Sequence, residues 1–341
     1  MDKKRLFPLD NLKFVLIVFV VIGHLIDYGS SEFQADAFHR MAVFIYAFHM
    51  PLFIFISGMF FKSEHILRKV LYYLLTGLVM KATVFLFQRL IYHTGLFTFS
   101  NLNGPDWFML ALAVYTALMY WLRRCKGKWI LAVALPLALA AGYIDAINTF
   151  MSVSRVVVFF PFFVLGTMLP PDAVIRFVSK RKWRVTGSVL IAVWAVLNIF
   201  WGDRIAYLKL LFTGSTPYSY LPYGLAPYGA LMRLLSYTIA TLLGFSFLAV
   251  VPRREVRLQS RFGARTLQVY FWHLPLLFLL HTLDYQLCGT FLATVPWGYC
   301  VSILLSVGIA LLLSTKPFAF PTNLIKKLTF QTRHKKKQQT F

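Results

Sequence analysis

At 341 residues, 59% hydrophobic and only 14% charged, the chain carries too little charge for an ordinary soluble domain, where about a quarter of residues are charged. Its formal charge of +23 would suggest nucleic acid if the basic residues lined one soluble face. They lie instead between apolar blocks about as long as a helix needs to cross ~30 Å of hydrocarbon, so they act as orientation signals and nucleic acid is not a partner. Cys125, Cys288 and Cys300 show no metal or redox spacing, and no metal site is expected.

The hydropathy predicts an all-α polytopic bundle, one domain over residues 1–341 embedded in a lipid bilayer, with ten spans near 11–30, 40–61, 71–93, 106–122, 129–145, 153–169, 185–201, 226–250, 266–287 and 292–315. With both termini cytoplasmic, the inner segments hold 27 of the 35 basic residues and the outer segments three, as the positive-inside rule requires. The first block follows Lys3, Lys4 and Arg5 but contains His24 and no small-x-small cleavage site, so it reads as a retained helix. No internal repeat is visible, which disfavours inverted-repeat transporter folds. Residues 316–341 form a basic cytoplasmic tail ending in His334-Lys335-Lys336-Lys337, suited to anionic lipid.

An ionisable residue inside a span is costly and marks a candidate site. In the first span Lys13 and His24 are eleven residues apart, about 20° on the helix wheel, and Asp10 lies within about 40° of His24. One face therefore carries an acid, a base and an imidazole. Lys13 sits near the inner surface, as a snorkelling anchor or a ligand contact, and His24 lies ~16 Å further along, as a core histidine or a catalytic one. The second span carries Phe48-His49-Met50-Pro51; His49 should reach a depth similar to His24, and Pro51 should kink the helix or free a carbonyl. Arg68 and Lys69 lie in the inner segment just before the third span. Trp107, just inside the fourth, is a belt anchor or a site residue. Arg155 opens the sixth near the outer face, and Arg233 and Tyr237 enter the eighth from outside. Tyr270 and His273 share a face of the ninth in its inner half. The outer loop near 202–225, with Tyr218 and further tyrosines, is a surface loop or the lip of an acceptor site.

At these residues the sequence resembles the membrane-bound acyltransferase 3 family, particularly its fucose 4-O-acetylase-like branch of sugar O-acetyltransferases. The resemblance rests on Leu9-Asp10-Asn11-Leu12-Lys13 with Gly23-His24, on Phe48-His49-Met50-Pro51-Leu52-Phe53 with Ile56-Ser57-Gly58, and on Trp107-Phe108. It continues through Ser154-Arg155 with Phe159-Phe160-Pro161, Gly263-Ala264-Arg265-Thr266-Leu267, Tyr270 and His273-Leu274-Pro275. It implies ten core helices in a bacterial plasma membrane, cytoplasmic acetyl-CoA as co-substrate with no permanently bound cofactor, and an extracytoplasmic carbohydrate acceptor. It also implies that His24 is the catalytic residue. Lys13 stands where the family usually has arginine, keeping the charge without the planar fork, and Arg68 and Lys69 are rough counterparts of arginines in the family's third helix.

The resulting expectation is an O-acyltransferase. Asp10, Lys13, Arg68 and Lys69 form the donor mouth; His24 is general base or transient acyl carrier. Arg155 or His49 steadies the oxyanion, and Trp107, Arg233 and Tyr218 grip the acceptor. The alternative is a transporter or flippase for a polar or lipid-linked solute; a membrane scaffold would leave the buried histidines unexplained.

Overall fold

Apolar runs of this length offer the backbone no polar partner but itself, and the helix is the form that satisfies every amide internally. The computed structural model describes residues 6–33, 36–93, 97, 104–147, 150–288 and 297–330, and every regular element among them is helical.

The helix α1 (Phe7–Phe33) is the axis of the bundle. Its Leu9, Leu12, Leu16, Ile17, Val20 and Val21 are buried among α2 (Asp36–Tyr46), α3 (His49–Met59), α12 (Arg257–Gly263), α13 (Thr266–Cys288) and α14 (Gly298–Leu313). The expected second span is one apolar stretch broken into α2 and α3. Pro51 has no N–H for the carbonyl four residues back, and its ring crowds that carbonyl; the break falls there, at Ala47-Phe48, with Phe48 outside helical geometry. Around this centre α4 (Ile66–Tyr92) packs on α5 (Asp106–Trp121) and α13, and α6 (Gly127–Ala140) packs on α7 (Val153–Met168). The helix α9 (Arg181–Ile205) packs on α11 (Gly229–Val250) and α2, with α8 (Pro171–Val178) also against α11.

Among the described residues, five helical stretches have the length and hydropathy to cross a membrane, six if α7 and α8, bent by 89°, count as one span. The surface agrees. Leu67, Leu71, Leu74, Leu78, Leu86 and Leu90 form an exposed stripe along α4, and Val185, Val189, Val193, Val196 and Phe200 form another along α9. In water such stripes would be anomalous; hydrocarbon is their natural solvent.

Two regions depart from the sequence reading. The predicted outer loop near 202–225 is no open surface loop. It contains α10 (Leu208–Phe212), whose Leu208, Leu211 and Phe212 are buried, because an apolar Leu-Lys-Leu-Leu-Phe run gains more from packing than from water. The predicted tail begins with α15 (Thr322–Phe330), which docks on α4 with Ile325 and Thr329 inward. The basic run 334–337 lies outside the described residues.

Close packing fixes the α3–α7 crossing. A Cβ on Gly58 would lie 2.2 Å from the Phe163 carbonyl oxygen, and one on Gly166 2.2 Å from that of Phe55. Glycine at both positions lets the two backbones touch, as small residues do at helix crossings in membranes. This contact joins the helix that begins at His49 to the helix that carries Arg155.

Candidate active site

These helices enclose a cavity of about 590 Å³, and His24, His49, Arg155 and Trp107 all line it. Four of the ten site residues expected from the sequence therefore meet at one cavity, drawn from α1, α3, α5 and α7.

Among the described residues nothing hydrogen-bonds either ring nitrogen of His24. A core histidine held for structure would have its polar atoms paired; this one presents them to open space. His49 is held differently. Its Nδ1 lies 2.8 Å from the Ile45 carbonyl, an acceptor, so Nδ1 carries the proton of the neutral ring and Nε2 keeps the lone pair. Arg155 is fixed by donating from Nε to the Thr213 carbonyl at 3.3 Å and from Nη2 to Ser215 Oγ at 3.3 Å. Its guanidinium lies 5.2 Å from the Trp107 ring centroid, and Trp107 stacks on Phe159 at 5.6 Å. Trp107 is buried, a cavity wall and not a belt anchor. Ser154 donates to the Gly214 carbonyl at 2.8 Å, so the Ser154-Arg155 pair holds residues 213–215 over the site.

Sequence reasoning missed further polar residues of this cavity. Asp27, one turn beyond His24, accepts from the Tyr46 hydroxyl and pairs with Lys209. Tyr46 in turn meets the His49 ring edge-on at 5.1 Å. Lys81 and Asp106, 3.5 Å apart, also line the cavity. The signal was available for Lys81, a cation within a predicted span, and for Asp27, three residues from His24 on one helix face. Lys209 gave none, since it joins the site only because α10 folds inward. His273 was assigned to the inner half of its span, yet its ring lies 5.1 Å from that of His24. Counting ~1.5 Å per residue assumes upright helices starting at one level, and helices that bring these two rings together do not meet that condition.

The donor candidates divide. A second cavity of about 280 Å³ is lined by Lys13, Lys62, Lys69, Ser57, Phe60 and Tyr73 among others. Lys13 pairs with Asp10 at 3.8 Å and lies 4.8 Å from the Phe60 ring centroid, and Lys69 donates to the Lys62 carbonyl at 2.7 Å. Arg68 does not line this cavity, and Asp10 meets it only through Lys13. Lys62 was not among the expected donor residues, although it was counted with the inner charges. Between Asp10 and Lys13, Asn11 has a structural task. It is fully buried, donates to the Pro252 and Arg254 carbonyls at 2.9 and 3.0 Å, and accepts from Ser260 Oγ at 2.7 Å. It staples α1 to the segment before α12.

Two acceptor candidates lie elsewhere. Arg233 is 1% exposed and donates to the Leu211 carbonyl, with its guanidinium 5.6 Å from the Tyr218 ring centroid. Tyr218 is equally buried and donates to the Leu139 carbonyl at 2.9 Å; burial pushes its phenol above the ordinary value. Neither lines the large cavity. Both support α10 and the chain that follows it, because the tyrosine ring fills the space left by Gly142 and Gly229.

The arrangement defines a class: a multi-pass membrane bundle whose polar cavity is built around an unpaired imidazole and a fixed arginine. The acyltransferase domain of the acyltransferase 3 family matches residues 8–315, and the chain belongs to that family. It is therefore a membrane acyltransferase. No curated protein and no solved structure matches it significantly.

Proposed function

We propose that this protein transfers an acetyl or similar acyl group from cytoplasmic acyl-CoA to a hydroxyl of an extracytoplasmic or lipid-linked carbohydrate, as the fucose 4-O-acetylase-like enzymes do, across a bacterial plasma membrane with both termini inside. The observation that carries it is the His24 imidazole, open to a 590 Å³ cavity with no partner among the described residues and with Arg155 on the same cavity. An unpaired polar ring inside an apolar bundle costs free energy, and proton transfer gives that cost a use.

The basic pocket of Lys13, Lys62 and Lys69 would receive the coenzyme A phosphates by charge, and the thin pantetheine arm would carry the thioester toward His24. His24 takes the proton from the acceptor hydroxyl as its oxygen attacks the thioester carbonyl. The tetrahedral oxyanion faces Arg155, which is already oriented by the Thr213 carbonyl and the Ser215 hydroxyl. Collapse breaks the carbon–sulfur bond, and the leaving thiolate takes the proton back from His24. Trp107, between Arg155 and Phe159 on the cavity wall, would meet the sugar with its ring edge.

The test is acetyl transfer from labelled acetyl-CoA by purified variants. His24→Ala should bind coenzyme A normally and lose ~10²–10⁴-fold in turnover, the contribution of a general base. Near-normal turnover would overturn the reading in favour of a transporter or flippase. An acetyl group trapped on His24 before acceptor is added would replace direct transfer by an acyl-histidine route.

A further inference from the structure

His273 is fully buried, and its two nitrogens are in different circumstances. Nδ1 lies 2.8 Å from the Tyr270 carbonyl. A carbonyl only accepts, so Nδ1 holds the ring proton and Nε2 is left with a lone pair. That Nε2 is buried and has no hydrogen-bond partner. A buried acceptor without a donor is costly and points to a partner that engages in another state of the protein. The nearest imidazole is His24, at 5.1 Å between ring centroids and tilted by 43°. Two imidazoles at that separation come within N–H···N range when their nitrogens face each other.

We infer that His273 is the positioning residue for His24, accepting one ring N–H of His24 at its Nε2 and so holding the other His24 nitrogen unprotonated toward the acceptor hydroxyl. This rests on the role of His24 proposed above. The chain of fixation runs from the Tyr270 carbonyl through the His273 ring to His24, and the Tyr270 hydroxyl donates at 2.8 Å to the Pro105 carbonyl, which holds this stretch of α13 to the start of α5. When His24 takes the acceptor proton it becomes an imidazolium. The bond to His273 then becomes charge-assisted and strengthens as the transition state forms. Asp27, the carboxylate closest along α1, pairs with Lys209 and Tyr46. His273 supplies the acceptor that a carboxylate provides in other catalytic triads.

Two polar substitutions separate the two nitrogens. The amide nitrogen of His273→Asn reaches the position of Nδ1 and keeps the bond to Tyr270, but places nothing at Nε2. His273→Gln extends an amide oxygen to the position of Nε2. The expectation is that His273→Asn lowers kcat by about 10–100-fold, the worth of one hydrogen bond to a group that becomes charged, with KM for acetyl-CoA nearly unchanged, and that His273→Gln recovers most of the loss. In protein labelled with ¹⁵N-histidine, His24 should show one tautomer in the wild type and the Gln variant and a mixture in the Asn variant. Full turnover in His273→Asn, or equal loss in the Asn and Gln variants with coenzyme A binding intact, overturns the inference. Should the Asn variant fail to insert, the wild-type spectrum decides alone, two His24 tautomers counting against it. An inactive His24→Ala beside a fully active His273→Asn would remove this inference only, whereas an active His24→Ala would remove the general-base reading itself.

Discussion

Gly58→Ala tests whether the α3–α7 crossing sets the catalytic geometry. The added methyl would meet the Phe163 carbonyl oxygen at 2.2 Å, about 1 Å inside the closest approach that real side chains make. The obstruction is backbone and cannot rotate away, so α3 and α7 must separate by a similar amount. Overpacking of this kind costs about 1–3 kcal/mol, even though alanine is the better helix former. The chemical cost is larger. His49 begins α3 and Arg155 lies on α7, both on the wall of the main cavity, and a 1 Å misplacement of reacting groups is worth about 100-fold in rate. Gly58→Ala should therefore lose roughly two orders of magnitude in acetyl transfer while losing only a few degrees of melting temperature. Gly308→Ala, where nothing lies within 4 Å of the new methyl, should match the wild type in both. Wild-type turnover in Gly58→Ala would refute the reasoning that this contact positions the site.

Lys13→Ala should weaken coenzyme A binding more than it slows the bound complex, and Lys13→Arg should retain activity; unchanged binding of coenzyme A in the alanine variant would make Lys13 a snorkelling anchor. Asn11→Ala takes the Asn11 donor from two carbonyls and its acceptor from the Ser260 hydroxyl and should cost about 2–4 kcal/mol of stability, read as a fall in melting temperature in detergent. Tyr218→Phe removes one hydrogen bond, to the Leu139 carbonyl, worth about 1 kcal/mol; the Michaelis constant for the acceptor should not move, and a large rise would return Tyr218 to the binding site. Reporter fusions after Arg184 should read cytoplasmic and fusions near Ser215 extracytoplasmic, and a common side for both would remove the two-sided mechanism.

Much of the architecture was legible because hydrocarbon leaves few choices. Long apolar blocks must be helices, and Pro51 marked the break in the second span because a residue without an N–H cannot continue the ladder. The meeting of His24, His49, Arg155 and Trp107 was partly legible for a related reason, since each is a polar or amphipathic group that the bundle interior tolerates only with a purpose. What lay hidden was set by packing between elements. The Leu208–Phe212 run looks like loop until its burial is seen, and only that burial brings Lys209 to Asp27. Arg233 read as an acceptor contact because it is charged and within a span, yet it spends its charge on the Leu211 carbonyl and the Tyr218 ring face.

The two histidines show where the limit falls. A helix wheel establishes that Asp10, Lys13 and His24 share a face of α1, because that relation is internal to one helix. It is silent on which neighbour fills the face. Residue counting set His273 in the inner half of its span and His24 toward the outer half, and their contact at 5.1 Å depends on how α1 and α13 are inclined. At its inner end α1 is held against α12, the element that leads into α13, by contacts such as Gly263 against the Asp10 carbonyl, where a Cβ would come within 1.8 Å, and by the Asn11 staple beside it. These contacts lie at the far end of α1 from the chemistry. Their substitution should disturb turnover through geometry, while leaving every group that touches the acceptor chemically unchanged.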